Sequence, residues 1–166
     1  VLRGGLLAVY GSSRLQLRDP ESDAPLWSRP FPSRQPEFIV TSDSSVILSF
    51  EQPDGSAELE AVAARTGAPL GGRVTVKRGP NSFRIERAAV AGNRLVLGDN
   101  WRRVLVYDLE TGARTGRKAG RFADVSAARG LVCLYTDRDR LEVDALAGLE
   151  ERAGLDLSCW RVAFNG

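Results

Sequence analysis

The sequence predicts an all-β repeat protein, and two observations support this fold class. Short apolar stretches recur between Gly, Ser, Asn and Asp residues, at Leu6–Tyr10, Val46–Phe50, Leu95–Leu97 and Leu131–Tyr135. Each is followed by a stretch in which apolar and polar residues alternate, at Arg14–Arg18, Glu58–Val62, Val104–Asp108 and Arg140–Asp144. Short apolar runs and period-two alternation between turn residues are typical of strands.

Residues suited to tight turns join the two strands of each pair. These connections are Gly11–Ser13, Gln52–Ser56, Gly98–Arg102 and Thr136–Asp139. They contain residues that adopt positive φ or cap a turn with a side-chain oxygen. We therefore predict that each pair is an antiparallel hairpin.

A second turn follows each alternating strand, near residues 19–23, 64–67, 108–112 and 144–148. Alignment of these turns places Asp23, Gly67, Gly112 and Gly148 at one repeat position, with spacings of 44, 45 and 36 residues. A period of about 40 to 50 residues is that of a four-stranded β-propeller blade. We predict about four such antiparallel blades over residues 1–166, either as one propeller domain or as a segment of a larger ring.

The repeat also locates the remaining strands. We expect outer strands at Leu26–Ser28, Val74–Val76 and Arg114–Arg117, and inner strands at Phe38–Val40, Arg87–Val90, Asp124–Ala127 and Trp160–Phe164. The Ala and Glu content of Glu58–Arg65 favours helix, but its place in the repeat favours strand. The segment Leu146–Leu155 has little β character and is predicted to be a helical turn or a loop.

The first and the last segments of the chain are both predicted to be incomplete blades. We therefore expect a stretch of a ring of about six to eight blades, closed by further blades or by a second copy. The alternative is that the terminal pieces close the ring by sharing one blade.

The string Val106–Arg114 resembles the blade repeat of quinoprotein-like propellers (the PQQ-type repeat), in which an apolar strand is followed by Asp, two residues and Thr-Gly. Asp19–Trp27 resembles the same unit with its docking tryptophan. The resemblance implies that Asp caps the turn and that Gly supplies a positive φ. WD-type propellers are a more distant likeness, because the chain has no Gly-His dipeptide and no Trp-Asp dipeptide.

The sequence departs from this family at the positions that carry its chemistry. Gly71 or Gly72 and Arg117 are aligned with the docking tryptophan in the second and third repeats. The adjacent cysteines and calcium-ligating acids of quinone-dependent dehydrogenases are also missing. We therefore expect no cofactor.

The complete absence of histidine excludes several enzyme classes. Ser-His-Asp and Cys-His nucleophiles and the H-E-x-x-H zinc motif all require it. Of the two cysteines, Cys133 is predicted to be a buried apolar residue, and a Cys133–Cys159 disulfide is the open alternative. We expect a protein that is not an enzyme.

Charge is distributed along the whole chain, with 23 Lys and Arg against 21 Asp and Glu. A nucleic-acid partner is not expected, because it requires clustered basic residues. The arginines and lysine between Arg114 and Arg121 are interpreted as a solvated face. No apolar stretch is long enough for a transmembrane helix, and no signal peptide is found at Val1. The compartment is not identified, although the cytoplasm is slightly favoured.

Two local clusters were considered as sites. Asp137, Asp139 and Asp144, with Glu142, place carboxylates close together, but we interpret them as turn residues paired with the adjacent Arg138 and Arg140 rather than as calcium ligands.

The second cluster is Trp101, Arg102 and Arg103, which follow Asp99 and Asn100 in a predicted hairpin loop. Trp and Arg are enriched where proteins bind one another, so these three residues are the candidate protein interface. The alternative is a tryptophan folded back on its own protein, with an arginine stacked on it.

The function expected from the sequence is a scaffold or ligand-sensing module with a protein or peptide partner. Two alternatives stay open. The chain is the propeller part of a larger enzyme or signalling protein, or it is a remnant of a quinoprotein-like oxidoreductase.

Overall fold

The computed structural model describes residues 7–11, 13–19, 21–31, 36–41, 44–77, 84–136 and 140–156. Within them the chain forms fifteen strands and no helix. Residues 1–78 and residues 79–166 form two compact units. Each unit contains two antiparallel sheets whose strands follow one another in chain order.

The first unit contains sheets A and B. In sheet A, three strands are described: β1 (Leu7–Gly11), β2 (Arg14–Arg18) and β3 (Pro25–Pro30). Sheet B has four strands: β4 (Phe38–Thr41), β5 (Ser45–Glu51), β6 (Ala57–Ala63) and β7 (Val74–Val76).

The second unit contains sheets C and D. Sheet C consists of β8 (Ile85–Ala91), β9 (Arg94–Asp99), β10 (Arg103–Asp108) and β11 (Arg114–Ala119). Sheet D consists of β12 (Arg121–Ser126), β13 (Leu131–Tyr135), β14 (Arg140–Ala145) and β15 (Glu151–Asp156). The all-β class and the hairpin pairs predicted from the sequence are confirmed.

Two ambiguous segments are resolved as strands. Glu58–Val62 lies within β6, where pairing with β5 overrides its helix propensity. A helical turn or loop was expected over Leu146–Leu155. Residues 146–148 do form a turn, but the expectation is wrong for residues 151–155, which are part of a strand. Residues 151–156 form β15, because β14 offers a free edge and Val143 pairs with Ala153. The strand predicted at Trp160–Phe164 lies outside the described residues.

Four turns with the same backbone hydrogen bonds mark the repeat. In each, an N–H donates to the carbonyl five residues later: Asp19 to Ala24, Ala63 to Ala68, Asp108 to Ala113 and Ala145 to Glu150, at 2.7 to 3.0 Å. The fourth residue after each donor has positive φ: Asp23 at 54°, Gly67 at 70°, Gly112 at 71° and Leu149 at 60°. The predicted alignment is therefore correct for three turns and wrong for the fourth, where Leu149 and not Gly148 holds the position.

Trp27 fixes sheet A on sheet B. Its indole Nε1 donates to the carbonyl of Ala64 at 2.8 Å. The ring covers Gly67, since a Cβ on that glycine would lie 2.8 Å from Trp27 Cδ2. Beneath it, Leu15 and Leu17 of β2 join Val46, Leu48, Phe50 and Val62 of sheet B in one buried cluster.

Sheets C and D pack together with the sizes of the two docking residues exchanged: the small residue lies in the strand and the large residue lies in the turn. Gly116 in β11 occupies the position of Trp27, four residues after the positive-φ residue of its turn. Leu149 fills the space, because a Cβ on Gly116 would lie 3.0 Å from Leu149 Cγ. The sequence alignment that placed Arg117 at the docking position is thus wrong by one residue, because the strand register pairs Gly116 with Val106 as Trp27 pairs with Leu17.

Ion pairs also join the sheets within each unit. Arg29 of β3 forms two hydrogen bonds to the Glu60 carboxylate of β6, at 2.6 and 3.0 Å. Lys118 of β11 pairs with Glu142 of β14 at 2.6 Å. Both cations lie six residues after the positive-φ residue of their turns, and both glutamates lie seven residues before theirs. Apolar docking and ion pair are therefore two parts of one repeated contact.

The close contact between Trp27 and Gly67 predicts that two glycine substitutions in the first unit lower the free energy of unfolding by different amounts. Gly55 has a φ of 76° but nothing within 4 Å of its added Cβ. Gly55→Ala and Gly67→Ala both place alanine at positive φ, at a cost of about 1 to 2 kcal/mol. Gly67→Ala also forces Trp27 to move, which adds about 1 to 3 kcal/mol. Urea unfolding followed by circular dichroism tests the difference. Equal losses would show that Trp27 does not depend on Gly67.

Cys133 is a buried free thiol in β13, packed with Ala123 and Leu141 of sheet D. Burial raises its pKa from 9.0 to about 11, with smaller contributions from Asp124 and Asp144. The prediction of a buried apolar cysteine is confirmed. Cys159, its candidate disulfide partner, lies outside the described residues.

This raised pKa predicts a loss of stability at alkaline pH. Between pH 9 and 11 the unfolded chain ionises Cys133 while the folded chain keeps it protonated. Unfolding is then coupled to proton release, and stability falls by about 3 kcal/mol at most before it levels off. Cys133→Val removes this component. Its free energy of unfolding should therefore fall less than that of the wild type over this range. Parallel curves would contradict the assignment.

Candidate interaction surface

The hairpin between β9 and β10 contains the predicted interface residues Trp101, Arg102 and Arg103, and Asp99 organises it. Asp99 is 3% exposed. Its Oδ1 accepts the backbone N–H of Trp101 at 3.0 Å and of Arg103 at 2.9 Å. Its Oδ2 accepts Arg103 Nε at 2.7 Å and pairs with Nη2 at 2.6 Å. One buried carboxylate thus holds both sides of the turn.

Backbone hydrogen bonds also hold the hairpin around this carboxylate in place. Arg102 has a φ of 54° and donates its N–H to the carbonyl of Asp99 at 3.1 Å. Its own carbonyl accepts the N–H of Gly120, at the end of β11, at 2.8 Å. Arg84, just before β8, exchanges two hydrogen bonds of 3.0 Å with Asn100. The hairpin is therefore tied to the strands on both sides.

Arg103 stacks on Trp101. Its guanidinium carbon lies 4.5 Å from the centroid of the indole ring, within the range of a cation–π contact. Trp101 is half-buried and Arg102 is exposed. The three residues therefore lie together in the structure. The stacking of an arginine on Trp101, which was the alternative interpretation of the sequence, is present. Their role as a protein interface stays a prediction.

Sequence reasoning finds only part of this surface. It places Asp99 among the turn-capping residues, but the burial of Asp99 against Arg103 depends on the fold. It assigns Arg121 to a solvated basic face, and Arg84 carries no local signal; both residues are exposed. Backbone pairing brings Arg84 beside Asn100, and Arg121 follows Gly120, which is bound to Arg102.

The acidic cluster considered for calcium is occupied by a cation of the protein itself. Lys118 Nζ lies 2.6 Å from Glu142 and 2.9 Å from Asp144. Asp144 therefore pairs with Lys118 across the sheets, which the sequence does not predict. Glu142 also lies 3.8 Å from Arg140, as the sequence predicts for this cluster, and Arg138 lies outside the described residues. Burial raises the pKa of Asp144, although Lys118 opposes the shift. Burial alone would lower the pKa of Lys118, but its hydrogen bonds to the two carboxylates outweigh this and raise it. Asp137 and Asp139 lie outside the described residues.

Comparison with known proteins identifies the fold. No protein-family model matches the sequence, and no curated protein is similar to it. The N-terminal domain of Nup159 is similar in structure, with a TM-score of 0.53 and 11% identity over 94% of this chain and 43% of that one. BamB from Moraxella catarrhalis gives a TM-score of 0.48 and 16% identity over 92% of this chain and 49% of that one. This chain thus spans less than half the length of both.

The four antiparallel sheets and the similarity to the Nup159 domain define the class of protein: the chain is all-β and is built of β-propeller blades. None of the described residues forms a helix that is long and apolar enough to cross a membrane.

The contacts of Asp99 predict that it controls the order of the hairpin. Asp99→Ala removes four contacts of a buried carboxylate and leaves the Arg103 guanidinium without this partner. We expect a loss of about 2 to 4 kcal/mol in the free energy of unfolding. Amide exchange at Trp101 and Arg103 should accelerate more than tenfold, as measured by NMR.

The matched control is Asp54→Ala in the β5–β6 hairpin. The Asp54 carboxylate accepts the N–H and the hydroxyl of Ser56 at 2.9 and 2.6 Å, but the residue is exposed. Its loss should therefore lower the free energy of unfolding much less than the loss of Asp99 does. Equal effects of the two substitutions would show that Asp99 is an ordinary turn cap.

Proposed function

We propose that this chain is a non-enzymatic propeller module that binds a protein or peptide partner through the β9–β10 hairpin. Trp101 and Arg102 contact the partner, and Arg103 orients the indole. The observation that carries this proposal is the half-buried Trp101, held on one side by Arg103 and fixed below by Asp99.

Preorganisation is the physical reason for this choice. An exposed aromatic side chain that must be immobilised on binding loses rotamer freedom, which weakens binding. Here the hydrogen bonds of Asp99 and the stacking of Arg103 order the indole beforehand. A rigid Trp beside Arg has the composition of the residues that contribute most to protein interfaces.

The repeat type is a second part of the proposal. We assign the blades to the quinoprotein-like repeat on the turn Asp108–Gly112. The Asp108 carboxylate accepts the N–H groups of Glu110 and Thr111, both at 2.9 Å, and Gly112 has a φ of 71°. These are the roles that the family pattern gives to its Asp and Gly. They are structural roles, so the assignment carries no catalytic function.

Peptide selection tests the proposed interface. A displayed library of random peptides is selected on the folded chain, and the enriched peptides are synthesised with a fluorescent label. We expect Trp101→Ala to weaken their binding more than tenfold, because a central aromatic contributes about 2 kcal/mol or more. Fluorescence anisotropy gives the Kd, and circular dichroism confirms that the variant is folded.

Arg65→Ala is the matched control, since Arg65 is an exposed arginine in the turn after β6 of the other unit. It should leave the Kd unchanged. Peptides that bind equally well to wild type and Trp101→Ala would overturn the assignment of the hairpin. A selection that enriches no peptide would count against a peptide-binding function.

A further inference from the structure

Among the described residues of the second unit, several arginines lie at the end of sheet C that carries the β9–β10 hairpin. The residues of sheet C at this end, together with the start of β12, include five arginines and two carboxylates. The arginines are Arg84, Arg87, Arg102, Arg103 and Arg121, and the carboxylates are Glu86 and Asp99. Because Asp99 is buried against Arg103, it does not offset the charge of the outer arginines.

The opposite end of the same strands has a different balance. The turns that follow β10 and β14 there contain Asp108, Glu110 and Glu150, and β15 begins with Glu151. Acidic side chains and arginines are intermixed at that end, and Asp108 forms an ion pair with Arg94 at 2.7 Å. The overall charge of +2 conceals this separation along the strands of the second unit.

Hydrogen bonds bring the exposed arginines close to the β9–β10 hairpin. Asn100, next to Trp101, is doubly bonded to Arg84. Arg102 accepts from Gly120, which directly precedes Arg121. Arg84, Arg102 and Arg121 are all exposed. Their backbones are therefore fixed in or next to the hairpin that carries the half-buried Trp101.

We propose that the partner bound at this hairpin is an acidic peptide segment, with an apolar side chain on Trp101 and carboxylates on Arg84 and Arg121. This inference rests on the proposed function and adds the chemistry of the ligand. Guanidinium groups bind carboxylates through paired hydrogen bonds, and an aromatic ring in a hairpin with exposed arginines nearby suits an apolar anchor flanked by acids.

An acidic peptide fits this surface better than a nucleic acid does. A nucleic-acid interface requires a basic stripe along the whole contact, whereas here three exposed arginines lie in or next to one hairpin. Arg87 is also committed to the protein, since its Nη1 donates to the carbonyl of Ala123 at 2.6 Å. The exposed positive charge therefore suits a short acidic peptide. Among the described residues it does not form the continuous basic stripe that a phosphate backbone requires.

The test uses the enriched peptides and three substitutions of equal charge. We expect the peptides to be rich in Asp and Glu. Replacement of these residues by Asn and Gln should weaken binding more than tenfold. Arg84→Gln and Arg121→Gln should each raise the Kd about three- to fivefold, and the affinity for the acidic peptides should fall as salt is raised from about 50 to 300 mM.

Arg129→Gln is the control, because Arg129 is exposed in the turn at the opposite end of sheet D. It removes the same charge and should leave the Kd unchanged. If Trp101→Ala abolishes binding while Arg84→Gln and Arg121→Gln behave as Arg129→Gln does, the acidic peptide is wrong and the hairpin interface stands. If Trp101→Ala has no effect, the hairpin interface itself is wrong.

A labelled single-stranded oligonucleotide of thymidines is the third probe. It should bind more weakly than the acidic peptides at every salt concentration. Tighter binding that is lost in Arg84→Gln and Arg121→Gln would replace the acidic peptide with a nucleic acid as the ligand.

Discussion

Every sheet described here has an apolar face that must be covered by a neighbour, and this requirement shapes each unit. A single antiparallel sheet cannot bury its own face. In the first unit Leu15 and Leu17 meet Val46 and Val62. In the second unit Val104 and Val106 meet Val132 and Leu134. The turns, the docking residues and the ion pairs all lie where they hold these faces together.

The repeat pattern in the sequence was sufficient to predict the strands, because strand formation depends on local features. Period-two alternation locates β2, an apolar run locates β13, and the place in the repeat locates β7. Pairing rather than propensity decides β6 and β15. The Leu146–Leu155 segment shows the limit of local reasoning, since the open edge of β14 makes its last six residues a strand.

The docking contact was harder to predict because it depends on register and on volume. A search for tryptophan at a fixed offset finds Trp27 and misses its counterpart. In sheets C and D the large residue lies in the turn, as Leu149, and the small residue lies in the strand, as Gly116. A shift of one residue hid this exchange, because Gly148 resembles the expected turn glycine. Similarly, the sequence showed Trp101 and its arginines, but the buried Asp99 that orders them is apparent only from the hydrogen bonds.

The exchange of large and small residues has a consequence for assembly during folding. If both contacts used a tryptophan over a glycine, sheet A could dock on sheet D as readily as on sheet B, and repeats of similar sequence are prone to such mispairing. Here Trp27 meets a leucine if it approaches the turn of sheet D, and two bulky groups then compete for one space. The reversed sizes favour the docking of sheet A on sheet B over its docking on sheet D. The same contact that stabilises the native pair thus also excludes the wrong one.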